Sequence, residues 1–420
     1  MFKNLLLIAE RIFLLSPIIL VFSVVFNFHD TKFLISRTII IVSLYCLFFH
    51  RETIVREFKS KIRILCLGFT ACSYFFLMQF MNEGNSDLPR SILFVLVYFL
   101  FVPKDTFSKT VLFYIALLGC SSSGTLAIYE TYWLDVQRVG YLTLNPIPFS
   151  YYSGLSLIVM LGAFFSIGKE NVDRFKLICV SVCLPLALFA IVLSQTRATY
   201  LSIFIVSGIY LTLSVIHKPS KRNAATTLIL FLTMIALLWQ VDDIRLRVVD
   251  AFKQVKNFSH NDYYSSTGMR VKLWETGLRI SQDSLFIGHS KSEISTKAAV
   301  LIDDRIVPGY LKQFLVHPNP NFHNQFIQTL VDSGFIGLLL ILTFIFLSAI
   351  TKSGSLGSLG LYVSLYTAIC LWFDSIFLYN HVVILYSILI LVLYVVYCND
   401  KVKVKSNENS IAAIRPFKKL

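Results

Sequence analysis

Two arginines and one histidine, far apart in the chain, are of types that can bind a phosphate group and move a proton. Arg197 lies in a short turn between two apolar runs, Arg270 lies in a long polar segment, and His323 lies where that segment ends. A planar guanidinium binds phosphate oxygens bidentately and stays charged at any working pH. An imidazole accepts a proton near neutrality. Together the three side chains suit a reaction that expels a pyrophosphate while a proton is removed.

Each of these residues also has a purely structural interpretation. Arg197 can be a boundary residue whose charge reaches the membrane surface, Arg270 can face water on an amphipathic helix, and His323 can cap a helix. However, a guanidinium held where two apolar helices turn loses hydration unless an anion or acceptor meets it. This cost favours a ligand at Arg197.

The composition places these residues in a polytopic membrane protein. Of the 420 residues, 56% are hydrophobic and 15% aromatic, and the mean hydropathy is +0.69, well above soluble proteins. A spanning helix needs about 20 mostly apolar residues, and the pattern predicts an all-α protein with about 12 transmembrane helices. The predicted spans lie near residues 12–28, 33–50, 64–80, 90–103, 110–127, 149–167, 177–194, 199–216, 224–240, 326–350, 359–378 and 382–398.

The basic residues predict the orientation, because Lys and Arg accumulate in short cytoplasmic loops. Alternate connections on one side, with the two terminal segments, hold 22 of them, whereas the short connections on the other side hold 4, so both termini are expected in the cytoplasm. Four regions follow: a bundle of about nine helices (1–240), a large outer loop (241–325), about three helices (326–398) and a basic tail (399–420). The Arg197 turn and the large loop share the outer face.

One stretch of the outer loop has helical periodicity. From Ser266 onward, Thr267 is a candidate cap, and Val271, Trp274 and Leu278 share one face. Such a helix can lie flat at the membrane interface with its tryptophan as an anchor.

Several function classes are disfavoured. The net charge of +14 reflects the accumulation of basic residues beside an anionic inner leaflet. Membrane lipids are therefore expected as partners, and nucleic acid is not. Few ionisable residues occur at mid-membrane depth, with Arg37 and Asp374 the nearest, which argues against a transporter. The eight cysteines fall in or beside apolar runs and are interpreted as free, small hydrophobes.

A metal site is also disfavoured. Adjacent acids occur at Asp242-Asp243 and Asp303-Asp304, and hard cations prefer oxygen ligands. Neighbouring acids diverge on a helix or strand, so each pair is interpreted as solvated loop charge.

Several short sequence features together resemble the O-antigen ligase and polymerase superfamily. They are Ser194-Gln195-Thr196-Arg197, Arg270 on the predicted loop helix, and His323-Asn324 followed by Gly334 and Gly337. The predicted topology, with one large outer loop before the last three spans, is similar as well.

The resemblance implies a C-type glycosyltransferase of a bacterial inner membrane, multi-pass, with a periplasmic active site and no cofactor or metal. Its donor would be a polysaccharide on undecaprenyl pyrophosphate, and its acceptor a sugar hydroxyl on lipid A-core. Arg197 and Arg270 would hold the pyrophosphate, and His323 would orient or deprotonate the acceptor. Further substrate contacts would come from Arg279, Asn324 and Trp274.

Several activities stay open within this resemblance. A single large outer loop, with only a short one near 128–148, favours a ligase over an O-antigen polymerase. A protein O-oligosaccharyltransferase and a lipid-linked oligosaccharide flippase are further alternatives. The sugars and the oligomeric state are not predicted.

Overall fold

The computed structural model describes residues 2–28, 31–84, 87–142, 145–167, 173–217, 220, 225, 228–229, 232, 239–240, 242–257, 263–350 and 354–414, and the regular elements in these ranges are all helices. The helices of the first half are α1 (Phe2–Ser23), α2 (Lys32–Phe49), α3 (Arg51–Asn82), α4 (Asp87–Phe101), α5 (Lys109–Tyr132), α6 (Pro146–Ser166), α7 (Arg174–Leu193) and α8 (Arg197–His217). Those of the second half are α9 (Asp242–Asn257), α10 (Ser266–Ser281), α11 (Lys291–Asp303), α12 (Lys312–Leu315), α13 (Gln325–Ile350), α14 (Gly354–Phe373) and α15 (Asn380–Ile414).

Among the described residues, eight helices are long and apolar enough to cross a membrane. They are Asn4–Ser23, Arg51–Asn82, Lys109–Tyr132, Pro146–Ser166, Arg174–Leu193, Arg197–Ile216, Gln325–Ala349 and Asn380–Asn399. Two shorter apolar helices, Phe33–Phe49 and Ser358–Phe373, also coincide with predicted spans, as does the 15-residue α4. Most of the span predicted at 224–240 lies outside the described residues. The protein is therefore an all-helical, polytopic membrane protein, while the number of 12 spans stays a prediction.

The centre of the bundle is formed by α6 and α15, whose apolar windows are mostly buried. On α6, the Tyr151 hydroxyl lies 2.9 Å from Thr367 Oγ1 of α14, and its ring stacks on Tyr366 at 5.6 Å. Gly154 permits this approach, because a Cβ there would lie 2.2 Å from the Tyr366 hydroxyl. Small residues let membrane helices pack closely, so α14 is held firmly against the centre.

Two helices run farther than the apolar runs predicted. The basic stretch 51–63, expected as a connection, forms the first turns of α3, where the buried Lys61 ammonium donates to the Val102 carbonyl at 2.7 Å. At the other end, α15 continues past 398 to Ile414. No proline or glycine interrupts residues 380–414, so nothing local stops the helix where the apolar run ends.

The polar segment after α8 builds a small apolar core of its own. Leu273 and Ile280 of α10, Ile294 of α11 and Leu311 pack around Phe322, all nearly inaccessible. Helix α10 also packs against α13. The segment is thus an ordered layer resting on the helical bundle, which gives the residues that it carries defined positions.

Candidate active site

Helix α10, which carries Arg270, begins differently from the sequence prediction. Ser265 is the N-cap, since its Oγ accepts from the Gly268 N–H at 3.1 Å. The Thr267 hydroxyl, predicted to cap, instead donates to Oε1 of Gln254 on α9 at 2.7 Å. The predicted cap is therefore wrong, and the side chain concerned ties α10 to a neighbouring helix.

The buried face of α10 is one that the sequence interpretation did not single out. Leu273 and Ile280 are buried in the small core, whereas Leu278, on the predicted stripe, is 49% exposed. Trp274 is half-buried and packs edge-on against Trp372 at 6.2 Å. The helix therefore has two apolar stripes, and tertiary packing buries the one with Leu273.

A break inside α13 fixes the loop segment to the membrane bundle. Gly334 has φ 62° and ψ −169°, a conformation that essentially only glycine adopts. Around the break, the Phe335 N–H donates to the Leu285 carbonyl at 2.7 Å, and the His289 N–H donates to the Val331 carbonyl at 2.8 Å. These bonds satisfy backbone groups that the interrupted helix leaves open.

Two glycines make this contact possible. A Cβ on Gly334 would lie 2.2 Å from the Phe286 carbonyl group, and one on Gly288 would lie 2.6 Å from the Ser333 nitrogen. Gly288 also has a positive φ of 75°. Gly334, the first glycine of the sequence pattern after His323, thus allows two backbone segments to lie close together.

His323 lies in the turn that starts α13. Its backbone has a left-handed φ of 48°, and its N–H donates to Asn321 Oδ1 at 2.8 Å. The following Asn324 caps the helix, with Oδ1 accepting from Phe326 N at 2.9 Å and Ile327 N at 3.1 Å. The side-chain amide preceding His323 and the cap following it hold the imidazole at one place on the bundle end.

Contacts from three directions surround His323. The Trp274 indole Nε1–H of α10 donates to the His323 carbonyl at 3.3 Å. The Phe314 ring meets the imidazole edge-on at 5.5 Å. Next to it, the Asn324 N–H donates to Ser375 Oγ at 3.1 Å, which brings the end of α14 alongside.

One carboxylate joins the two predicted site residues of this region. Asp374 Oδ2 lies 3.4 Å from His323 Nδ1 and 3.8 Å from an Arg270 NH2 atom. Its other oxygen accepts from the Ser375 N–H at 2.8 Å. The side chain of Asp374 is 6% exposed, against 24% for His323 and 26% for Arg270. A buried anion thus lies behind a cation and an imidazole that both reach solvent.

The role of Asp374 is what sequence reasoning missed, because the residue was placed inside a span ending at 378. In the structure α14 ends at Phe373, and a 3-10 turn, Ile376–Leu378, follows. The carboxylate therefore lies just after the helix end, beside His323. An acid directly after an apolar run and before a serine was the available signal.

Arg197 reaches the same region through Gln254. Its NH1 donates to Gln254 Oε1 at 3.4 Å, the atom that also accepts from Thr267. Thr267 lies one helical turn from Arg270, since residues three apart are neighbours on a helix surface. The start of α8, the start of α13 and the end of α14 meet at one end of the bundle, so all these groups share one face.

The remaining candidates divide into two groups. Trp274 and Asn324 both contact the residues around His323, as described above. Arg279 is exposed and follows Arg270 by nine residues on α10, which is half a revolution around the helix. The structure therefore brings Arg270, His323, Trp274 and Asn324 together, links Arg197 to them through Gln254, and keeps Arg279 apart.

The acidic pairs and the cysteines lie elsewhere. Asp242 pairs with Arg245 at 2.6 Å, and Asp303 and Asp304 are exposed at the end of α11. Within the described ranges, no three His, Cys, Asp or Glu side chains are grouped to hold a metal ion. All eight cysteines are free, and five of them are buried.

Comparison with known proteins covers three of these site residues. A family model described as O-antigen ligase matches residues 180–342, and no curated protein matches the chain significantly. The matched residues run from α7 into α13, so they include Arg197, Arg270 and His323 but end before Asp374. Members of the family are membrane glycosyltransferase-like enzymes with lipid-linked polysaccharide and lipid acceptor partners. The chain therefore carries an O-antigen ligase family match over residues 180–342, which supports membership of that family.

Proposed function

We propose that the protein transfers a polysaccharide from undecaprenyl pyrophosphate to a sugar hydroxyl of lipid A-core, with inversion at the anomeric carbon and without a metal ion. The single observation that carries the proposal is the convergence of Arg270 and His323 on one oxygen of Asp374. A phosphate-binding cation and a proton acceptor then lie within reach of one substrate.

In this mechanism His323 removes the proton from the acceptor hydroxyl. An imidazole that donates its Nδ1–H to the Asp374 carboxylate keeps a lone pair on Nε2, which can accept the proton of the acceptor hydroxyl. The hydroxyl oxygen forms a bond to the anomeric carbon while the bond from that carbon to the pyrophosphate oxygen breaks. The proton passes to His323, whose positive charge Asp374 stabilises, and the electron pair leaves with the pyrophosphate.

The two arginines stabilise the negative charge of the leaving pyrophosphate. Negative charge grows on the pyrophosphate as its bond breaks, and preorganised cations stabilise that charge most in a site shielded from water. Arg270 lies beside His323, and Arg197 is tied to the same helix through Gln254. Arginine suits both positions because its fork binds phosphate oxygens bidentately.

The proposed setting is the periplasmic face of the inner membrane. No nucleotide energy source is needed there, because the donor carries an activated pyrophosphate linkage. The asymmetry of the basic residues supports this orientation, and the site residues all lie at the bundle end that the asymmetry assigns to the outside.

Deletion of the gene, followed by electrophoresis of lipopolysaccharide, tests the proposal. A ligase predicts that the whole O-antigen ladder disappears while polymer accumulates on the lipid carrier. A core carrying a single repeat would instead indicate a polymerase, and unmodified glycoproteins with a normal ladder would indicate a protein-directed transferase. Loss of periplasmic lipid-linked polymer would indicate a flippase.

Complementation then tests the residues. Arg197→Ala, Arg270→Ala and His323→Ala, each present in the membrane at the wild-type level by immunoblot, are expected not to restore the ladder. Wild-type ladders from all three variants would contradict the assignment of the site.

A further inference from the structure

A polar cavity of about 350 Å³ lies beside the candidate active site. Its walls include the side chains of Lys291, Asn319, Asn321 and Gln328, with Tyr379 on one side. Sites for small ligands occupy about 300–1,000 Å³ and place a few polar groups around the ligand. The cavity is of this size, and its wall carries several hydrogen-bonding side chains beside apolar ones.

The cavity and the candidate active site share two chain segments. Asn321, in the cavity wall, accepts from the His323 N–H at 2.8 Å, and Gln328 Oε1 accepts from the Phe322 N–H at 3.1 Å. Tyr379 follows Asp374 by five residues, and burial together with the Asp374 charge raises the pKa of its phenol. A molecule in the cavity is therefore next to the residues that position the imidazole.

The cavity is separate from the elements that carry the arginines. None of the described residues in its wall belongs to α8, α9 or α10, which hold Arg197, Gln254 and Arg270. A donor whose pyrophosphate lies against the arginines approaches from those helices. The cavity thus lies on the side of His323 away from the proposed donor site, where the acceptor can bind.

The charge of the cavity disfavours an anion. One lysine, Lys291, faces two aspartates, Asp87 and Asp332, in the same wall. Lys291 Nζ donates to Asn319 Oδ1 at 2.7 Å, and Gln328 Nε2 donates to Asp332 Oδ2 at 2.9 Å. Amides, carboxylates and an ammonium that alternate as donors and acceptors match a ring of hydroxyl groups, and an aromatic ring adds apolar contact.

We propose that this cavity binds the terminal saccharide of the acceptor, a neutral or amino-bearing sugar, and presents its hydroxyl to His323. This inference rests on the proposed function, because it assumes that His323 activates an acceptor hydroxyl. It assigns to Lys291 and Asn319 a role in acceptor affinity and none in the chemical step.

Steady-state kinetics of the full-length protein in proteoliposomes tests the inference. The substrates are polysaccharide-loaded undecaprenyl pyrophosphate and lipid A-core from a strain without O-antigen. The double variant Lys291→Met with Asn319→Leu is expected to raise the KM for lipid A-core about tenfold or more, since two hydrogen bonds are lost. Its kcat and its KM for the donor are expected to stay at wild-type values.

The matched control is Lys297→Met, which makes the same substitution on α11 at a residue paired with Asp283 and outside the cavity wall. It is expected to leave all constants unchanged. Asn319→Trp, which fills the cavity from an exposed position, is a second variant and is expected to raise the same KM. An unchanged acceptor KM in both cavity variants, or a raised KM for the donor alone, would overturn the inference.

Binding without the donor separates this inference from the proposed function. The probe is the core oligosaccharide released from lipid A-core, and saturation-transfer NMR measures its contact with the detergent-solubilised protein. We expect binding to the wild type and to Lys297→Met, weakened about tenfold in the double variant. Equal binding by all three proteins, with transfer by the wild type, would overturn the cavity assignment alone. Binding that the double variant weakens, with no transfer by any protein, would overturn the proposed function alone.

Discussion

The imidazole of His323 and the carboxylate of Asp374, 51 positions apart in the chain, approach to 3.4 Å. The carboxylate is buried and also lies 3.8 Å from the Arg270 guanidinium. A carboxylate beside Nδ1 sets which imidazole nitrogen faces outward and stabilises the positive form of the ring. In the proposed mechanism Asp374 is therefore a positioning residue, and it lies beyond the residues that the family model matches.

Replacing Asp374 with asparagine is expected to lower kcat by about 10²–10⁴-fold, because the amide carries no charge to stabilise protonated His323. Transfer assays with saturating donor and acceptor measure the effect. Asp304→Asn, at an exposed position, is the control with wild-type kcat. A wild-type kcat for Asp374→Asn would count against the positioning role.

Replacing Arg270 with lysine is expected to lower kcat by about 10²-fold or more, although the charge is kept, since an ammonium cannot bind a pyrophosphate as a planar fork. Assays with saturating donor and acceptor measure this loss. Arg245→Lys, on α9 and paired with Asp242, is the matched control and should behave as wild type. Full activity in Arg270→Lys would show that only charge matters there.

Replacing Gly334 with alanine is expected to destabilise the protein by about 2–4 kcal/mol, through the backbone conformation and the clash with Phe286. Thermal unfolding of the detergent-solubilised protein measures the change. Gly309→Ala is the control, because a Cβ there meets nothing within 4 Å. Equal melting temperatures for both variants would mean that the loop segment does not need its contact with α13.

Replacing Gln254 with leucine is expected to lower transfer about threefold to tenfold, since the bridge from Arg197 to Thr267 is lost while the bulk of the side chain stays. Initial rates at low donor concentration are the sensitive measurement. Gln313→Leu, at an exposed position, serves as the control. Rates that match the wild type would indicate that Arg197 does not depend on α9 for its position.

Chelation is expected to leave transfer unchanged, because the proposed mechanism assigns all phosphate charge to Arg197 and Arg270. The purified protein is treated with EDTA, and initial rates are compared before and after addition of magnesium or manganese. Activity lost on chelation and restored by either ion would replace the arginine mechanism with a metal-assisted one.

Much of the site was predictable as residue types, and little of it as geometry. The sequence pointed to Arg197, Arg270 and His323 because their side chains can bind phosphate or accept a proton. Gln254 and Ser265 were not, since a glutamine on a polar helix and a serine before one are common. Their roles depend on which helix ends lie side by side, and local sequence patterns do not encode that.

Hydropathy by itself determined that the chain is a helical membrane protein and that its polar segment ends at His323, because the cost of burying charge in lipid applies to each stretch separately. Only the tertiary structure decided that the Asp374 carboxylate lies between Arg270 and His323 and contacts both. The packing of α14 against α6, through Tyr366 and Gly154, brings that helix end to the start of α13. Such contacts arise from the shapes of distant side chains fitting together, and no local pattern specifies that fit.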